Sequence, residues 1–472
     1  MLAPRLLREL ERAQLDGPVI GRDHGDYQHA RLVWNGVINR LPAAIVRAAS
    51  VADVTRTIHV AATTGSPLAV RCGGHSFPGF STCDDGIVLD LSAMNEIAVD
   101  PAARIASVGG GSLLVDLDRA GAPHGLVTPT GVVSHTGAGG LTLGGGMGWL
   151  SRRLGLTIDS LVEAEVSTAD GRVIRASAQV EPELFWGLRG GGGNFGVVTR
   201  FTFQMHELGP VLVGRWMYPA PETPAVLRRY AALAADAPRP LTSAFTVTAA
   251  GARVTAVWSG SAEGAETAVT PYGTLGTLST AAVGGMTFLQ LQSHSDEHFQ
   301  PGRRYYAKGG FLAALTEDAI DQIASALDES PAPDAEVYVL QLGGAIADHT
   351  DDATAYTGRR AGFYWIVEPV WDAAADDERC IAWGRQTSAG LTAISMRGNY
   401  VNEQSEVGTN MTLGAYGENT YRRLVALKTR FDPNNLFRLN QNIQPDTGKT
   451  PAELAARARA TGGTSRRRAD SS

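Results

Sequence analysis

The sequence predicts an α+β protein in which one domain, split into two parts, is interrupted by an inserted second domain. Three observations carry the prediction. The chain of 472 residues is longer than one ordinary core holds. Its 55 glycines exceed the usual share of roughly 7% and gather in a few loops, with every run of three or more lying before residue 197. From about residue 208 the texture changes to longer strand and helix runs with more aromatic residues. The boundaries follow as 1–207 and 399–456 for the split domain, 208–398 for the insertion, and 457–472 as a compositionally disordered tail.

The elements are justified in chain order. Arg5, Arg8, Glu9, Glu11 and Arg12 alternate with apolar residues at helical spacing, which marks an amphipathic helix and not a signal peptide. Residues 43–48 read as a strand, Ser50 as the cap of a helix running to about Thr64, and Gly65 as its stop. Pro67 to Arg71 returns as a strand, making a βαβ unit that delivers the loop Arg71-Cys72-Gly73-Gly74-His75-Ser76. A second unit follows, with Arg104 to Val108 as strand, Gly109-Gly110-Gly111 as turn and Ser112 capping a helix that ends at Gly121. Between Gly137 and Gly148, seven of twelve residues are glycine. Each internal glycine costs a helix or strand roughly 0.5–1 kcal/mol, so this stretch is expected to be irregular backbone with a ligand against it. Glu163 to Ala169 and Val173 to Ser177 form a hairpin about Asp170-Gly171-Arg172. Pro182 to Leu188 reads as a short helix, Gly190 to Gly193 as a loop and Val197 to Gln204 as a strand. In the insertion Trp258, Tyr305, Tyr306, Tyr338, Phe363, Tyr364 and Trp365 stand out as stacking surfaces, and Tyr421 to Gln444 closes the chain with a helix and the run Asn440-Gln441-Asn442.

Gly73 and Gly74 lack the Cβ atoms that keep a backbone away from a pyrophosphate, so their N–H groups can converge on one. A dinucleotide-binding loop of the Rossmann kind opens a helix, whereas here the alternating run Ile87-Val88-Leu89-Asp90-Leu91 follows. The loop therefore joins strand to strand.

That arrangement resembles the berberine-bridge-enzyme-like flavoprotein oxidases of the vanillyl-alcohol-oxidase superfamily, over nearly the whole chain. The resemblance implies a PCMH-type FAD-binding domain in two parts and an inserted substrate domain built on an antiparallel sheet covered by helices. It implies FAD covalently attached through His75 and cradled by Arg71, Cys72, Gly73, Gly74 and Ser76. The segment carrying Gly139, Gly140, Gly144, Gly145, Gly148 and Trp149 would pass the flavin ring. Gly193, Asn194, Gly196 and Val198 would wrap the nucleotide half, and Asn440 and Asn442 would meet the flavin edge. Family members with two flavin bonds carry a cysteine where this chain has Val133, and no cysteine occurs between Cys83 and Cys380, so only the His75 bond is expected. His135 is a candidate ligand contact, and Thr136 takes the position that influences oxygen access in the family.

The general base is left between two residues. The family's Tyr-x-Asn-Tyr is Tyr400-Val401-Asn402-Glu403 here, so either a buried Glu403 of raised pKa or Tyr400 would take the substrate proton, unless Glu403 is a surface residue. The resulting expectation is an oxidase moving hydride from a C–H beside a hydroxyl, amine or phenol of a small-molecule substrate to FAD and then to O2. A dehydrogenase with another acceptor and a non-catalytic flavin-binding protein are the alternatives.

Composition narrows the partners. A net charge of −7 argues against nucleic acid, and the basic run Arg466-Arg467-Arg468 lies in the tail. No apolar stretch reaches the roughly 18 residues of a membrane span. Three cysteines in no framework spacing suggest a reducing compartment and a cytoplasmic location. His294 and His298 are spaced i, i+4, but the Glu297 beside them is misplaced for a metalloprotease motif, so no metal is expected. The sequon Asn410-Met411-Thr412 would be idle in the cytoplasm.

Overall fold

A computed structural model describes residues 2–326, 330–446 and 448; the expected tail at 457–472 lies outside these. Four short strands, β1 (Val19–Gly21), β2 (Ala44–Arg47), β3 (Leu68–Arg71) and β4 (Ile87–Asp90), form a sheet in the order β1-β2-β4-β3. β4 pairs in parallel with both β2 and β3, so it lies between the two strands of the βαβ unit. The helix Val51–Thr64 is capped by the Ser50 side chain accepting the Asp53 N–H, and it stops where Gly65 takes φ +68°. That helix and Leu6 and Leu10 of the N-terminal helix Leu2–Arg12 bury one face of the sheet.

The second sheet is wholly antiparallel, in the order β5-β6-β10-β8-β9, built from β5 (Ile97–Asp100), β6 (Ile105–Gly109), β8 (Leu161–Ser167), β9 (Val173–Ser177) and β10 (Val197–Gln204). The short β7 (Leu126–Val127) pairs with β11 (His206–Glu207). No second βαβ unit forms, because β6 is flanked by antiparallel neighbours. Leu113, not Ser112, caps the helix Leu114–Gly121, and its N–H donates to the Asp116 carboxylate at 3.1 Å. Ser112 is buried instead, its carbonyl receiving the Ala138 N–H and the Cys72 thiol.

The glycine-dense stretch also departs from expectation, since Ala138–Gly144 is helical. The missing side chains serve contact with neighbouring chain: a Cβ at Gly144 would fall on the Asn402 amide, and one at Gly139 would crowd the Gly110 carbonyl. Packing outweighs the intrinsic penalty of helical glycine.

Seven strands make the third sheet, in the order β15-β12-β14-β13-β18-β19-β17 and antiparallel throughout. They are β12 (Val211–Pro219), β13 (Leu241–Thr248), β14 (Gly251–Trp258), β15 (Thr280–Met286), β17 (Lys308–Leu312), β18 (Glu336–Gln341) and β19 (Phe363–Glu368). A two-stranded pair of β16 (Arg304–Tyr305) and β20 (Val370–Trp371) stands apart. Strand alternation divides the sheet's residues. Trp216, Phe245, Val254, Val337, Val339, Phe363 and Trp365 pack under the helices Thr223–Ala235, Glu317–Ser325 and Asp377–Ile394. The opposite face presents Val213, Ala244, Val257, Leu340, Tyr364 and Ile366 to the rest of the molecule. Of the seven aromatics expected to serve as stacking surfaces, Phe363 and Trp365 are therefore helix-side core, Tyr306 packs with Trp371 and Cys380, and only Tyr338 reaches the cavity described next.

The closing stretch Thr409–Phe431 is two helices meeting at a kink at Gly417, where φ is +71°, and the second leads into a buried clamp. Lys428 pairs with Asp432 at 2.7 Å and donates to the carbonyls of Asn194 and Phe437, while Asp432 receives the N–H groups of Leu436 and Phe437. Every charge is met, which is what lets a fully buried pair persist. The clamp fixes the C-terminal segment against the Gly190–Gly196 loop. Among the described residues no helix is long and apolar enough to cross a membrane.

Candidate functional site

A cavity of about 450 Å³ lies between the glycine loops of the first two sheets and the open face of the third. One wall is almost pure backbone. Gly73 and Gly137 touch so closely that a Cβ on either would collide with the backbone nitrogen of the other. Gly74 and Gly192 take φ of +73° and +70°, and Gly140 and Gly193 face open space. Cys72, Gly73, Gly74, His75, Ser76, Thr136, Gly139, Gly140, Trp149, Gly193, Asn194, Gly196, Val198 and Asn440 all border the cavity.

The remaining expected residues stand behind it. Arg71 is a buried strut that donates to the Ala30 carbonyl at 2.7 Å and to Asp90 at 2.8 Å. A Cβ at Gly145 would strike Tyr356 and one at Gly148 the Thr130 carbonyl, so these glycines, like Gly144, make room for neighbouring chain. Asn442 is also off the cavity wall, and its Oδ1 is buried without a partner. His135 reaches the site through His75, their Nδ1 and Nε2 atoms 2.7 Å apart.

His75 is held on two sides. Trp34 stacks on it with ring centroids 4.6 Å apart, and Tyr305 stacks on Trp34 at 3.8 Å. Burial, and secondarily His135, push the His75 imidazole down to about 3, so it stays neutral at working pH. The neighbouring Cys72 thiol is pushed up to about 11 by burial and serves as a donor to the Ser112 carbonyl.

The polar atoms left unmet on this wall suit a dinucleotide. Asn440 donates its amide nitrogen to the carbonyls of Gly193 and Phe437, which fixes its orientation, and its Oδ1 is left buried without a partner. Gln441 Oε1 and Ser81 Oγ are unpaired as well. Buried polar groups without partners are rare in native proteins, and together with the glycine cradle they fit FAD.

The second wall is made of side chains. Glu403 borders the cavity, half-buried, and burial pushes its carboxyl up to about 7, with the Tyr364 hydroxyl acting in the other direction. Tyr400 is buried beside it, its hydroxyl oxygen accepting the Gly146 N–H at 3.2 Å and the Asn402 amide at 2.9 Å. Burial and the Glu403 charge raise the Tyr400 phenol, so its proton is firmly held.

Beside Tyr338, residues that the sequence did not single out complete this wall: Arg215, Thr246, Arg253, Glu336 and Glu368 from the sheet. Period-2 alternation on β12, β14, β13, β18 and β19 was the only available signal. His294 and His298 border the same cavity, while Asp296 between them accepts the Ser134 N–H at 2.8 Å, so this segment builds the wall. Among the described residues no cluster suited to a metal ion occurs.

Comparison with known proteins agrees with this geometry. The family model described as FAD binding domain matches residues 42–177, and that described as berberine and berberine like matches residues 399–444. An FAD-linked oxidoreductase of Dictyostelium discoideum is 32% identical over 437 residues, spanning 91% of this chain and 95% of that protein. The (R)-6-hydroxynicotine oxidase of Paenarthrobacter nicotinovorans is 30% identical over 450 residues, spanning 92% and 97%. The crystal structure of 6-hydroxy-D-nicotine oxidase from Arthrobacter nicotinovorans superposes with a TM-score of 0.85 at 29% identity, covering 92% of this chain and 99% of that one. Likeness of this extent runs through both walls of the cavity, and this chain accordingly belongs to the berberine-bridge-enzyme-like family of FAD-linked oxidoreductases.

Proposed function

We propose that this FAD-linked oxidoreductase is an oxidase of small molecules that carries its flavin on a single covalent bond to His75 and uses Glu403 as general base. The observation that carries the reading is continuity: one cavity is bordered at once by His75, the glycine loops and Glu403. FAD bound along the glycine loops would supply the two-electron acceptor for hydride leaving the substrate carbon, with dioxygen reduced to hydrogen peroxide in the overall reaction. The chain's own residues do the rest.

The neutral His75 has its Nε2 engaged by His135, which leaves Nδ1 as the nitrogen open for the covalent bond. Asn440, Gln441 and the bare backbone at Gly140 and Gly193 would hold the dinucleotide. A carboxylate tuned near neutrality, as burial tunes Glu403, can receive the proton of a substrate hydroxyl, amine or phenol while hydride leaves the adjacent carbon. Tyr400, with its oxygen already accepting two hydrogen bonds, supports the Gly146 turn and Asn402 instead. Thr136 borders the cavity from the glycine side, where it would influence oxygen access. Residues 208–398, around the seven-stranded sheet, would form the substrate domain between the two parts of the FAD domain, 1–207 and 399–456. The three unpaired thiols support a reducing, cytoplasmic setting.

The test is acid precipitation of the purified yellow protein. Colour should stay with the pellet in the parent and pass to the supernatant in His75→Ala; colour released from the parent would refute the covalent bond. Peroxide formed in step with substrate consumed marks the oxidase, and turnover under air without peroxide would exclude it.

A further inference from the structure

We infer that the substrate is an elongated molecule bearing one carboxylate, which Arg215 binds at the end of the cavity remote from Glu403. The inference rests on the oxidoreductase reading above and names its substrate class. Arg215 projects from β12 onto the cavity face, where its register partner on β14 is Thr255 and Arg253 lies two residues along the same strand. The two guanidinium groups thus form a diagonal pair on neighbouring strands.

Their charges are unequally met. Arg253 has Glu336 at 3.8 Å. Arg215 has no carboxylate partner among the described residues, and its Nη2 is buried without a hydrogen bond. The bases nearby add no anion: burial and both arginines push His294 down, which keeps it neutral. Burial and Arg253 likewise lower Arg215 itself, the signature of a cation facing a cation without relief. Burial pushes Glu336 up to about 7 and its register partner Glu368 well above the usual carboxylate range, so these acids offset the two arginine charges only in part and this end of the wall stays positive. A half-buried guanidinium with one nitrogen sealed from both water and partners is costly to a fold that gains nothing by it. A planar monoanion fits both its charge and its donor geometry, and a carboxylate is that group.

Length follows from the sheet. From β12 the order runs β14, β13, β18 to Tyr338 and then β19 to Tyr364, two of the residues that face the Glu403 charge. Three strand spacings of about 4.8 Å put β12 and β18 roughly 14 Å apart. A substrate reaching from Arg215 towards Glu403 therefore crosses about two rings' length of the sheet face, past Thr246, Thr255 and Tyr338.

The experiment is calorimetric titration of the flavin-loaded protein with biphenyl-4-carboxylate and, in parallel, with its neutral analogue biphenyl-4-carboxamide. The acid should bind at least about tenfold tighter, and Arg215→Gln should abolish the difference while keeping the visible flavin spectrum. Equal affinities, no binding of either probe up to its solubility, or an acid preference that survives in Arg215→Gln would overturn the inference. Tighter binding of biphenyl-4-yl phosphate would overturn the choice of a monoanion. The acid–amide comparison on the unaltered protein stands even if the variant fails to fold. Failure here with a normal flavin spectrum refutes the substrate class alone, whereas a colourless protein refutes the oxidoreductase reading.

Discussion

The glycine wall and the sheet wall of the cavity present opposite kinds of surface to whatever lies between them. Backbone N–H groups and unpaired amide oxygens form the first, with a neutral imidazole and a protonated thiol as its titratable groups. Arginines, threonines, glutamates and a tyrosine projecting from five strands form the second. Backbone geometry changes little when residues are exchanged, so it suits a ligand that never varies. Side chains on a sheet face can be exchanged singly without moving a strand, so they suit a substrate that differs from one relative to the next.

Predictions that break or sharpen this contrast begin with Glu403. Glu403→Gln should lower kcat by about 10²–10⁴ with an unchanged flavin spectrum. In the parent the carboxylate form is the active one, so kcat/KM should climb with pH and level off above about 7, where Glu403 is ionised. Below that pH the rate should fall about tenfold per unit, a limb that the glutamine variant loses. A parent profile flat from pH 5 to 8 would remove Glu403 from this role.

On the glycine wall the expected effect is on assembly. Gly73→Ala drives a Cβ into the Gly137 backbone, which has no flexible end to yield. Overpacking of this kind costs about 3 kcal/mol, and the flavin-to-protein absorbance ratio should drop sharply. Full flavin occupancy with unchanged thermal stability would show that the two loops are not interlocked.

Tyr400→Phe should have the smallest consequence. It strips the Gly146 N–H and the Asn402 amide of their acceptor, costing about 1–3 kcal/mol in thermal unfolding. Turnover should fall far less than in Glu403→Gln. A larger loss of kcat than the glutamate variant shows would transfer the base to Tyr400.

The two walls also differed in how far they could be read from sequence. Arg71 to Ser76 and Gly190 to Gly196 are contiguous, and their glycines announce a close approach whatever the fold. What they approach was less legible. Gly144, Gly145 and Gly148 admit Asn402, Tyr356 and the Thr130 carbonyl, partners that only the folded chain brings together. Likewise Arg71 reads as part of an anion loop until its guanidinium is found bound to Ala30 and Asp90. The sheet wall left no local signal, because Arg215, Arg253, Glu336 and Glu368 are spread over more than 150 positions and meet through register alone. Glu403 was legible because it stands where a tyrosine was expected. Lys428 was not, since a lysine in a helix reads as a solvated charge until its pocket of carbonyls is seen.

The pile of His75, Trp34 and Tyr305 ties these two worlds mechanically. Trp34 also donates its indole N–H to the Phe299 carbonyl at 2.8 Å, which leaves the middle ring little freedom to slide. An imidazole stacked in this way can pivot towards the pile only by pushing Trp34 against Tyr305, an aromatic side chain 230 positions further along the chain than His75. The pitch of the His75 ring is thereby governed from the Tyr305 side of the stack, and remodelling the stretch around Tyr305 to admit a bulkier guest would tilt that imidazole as well.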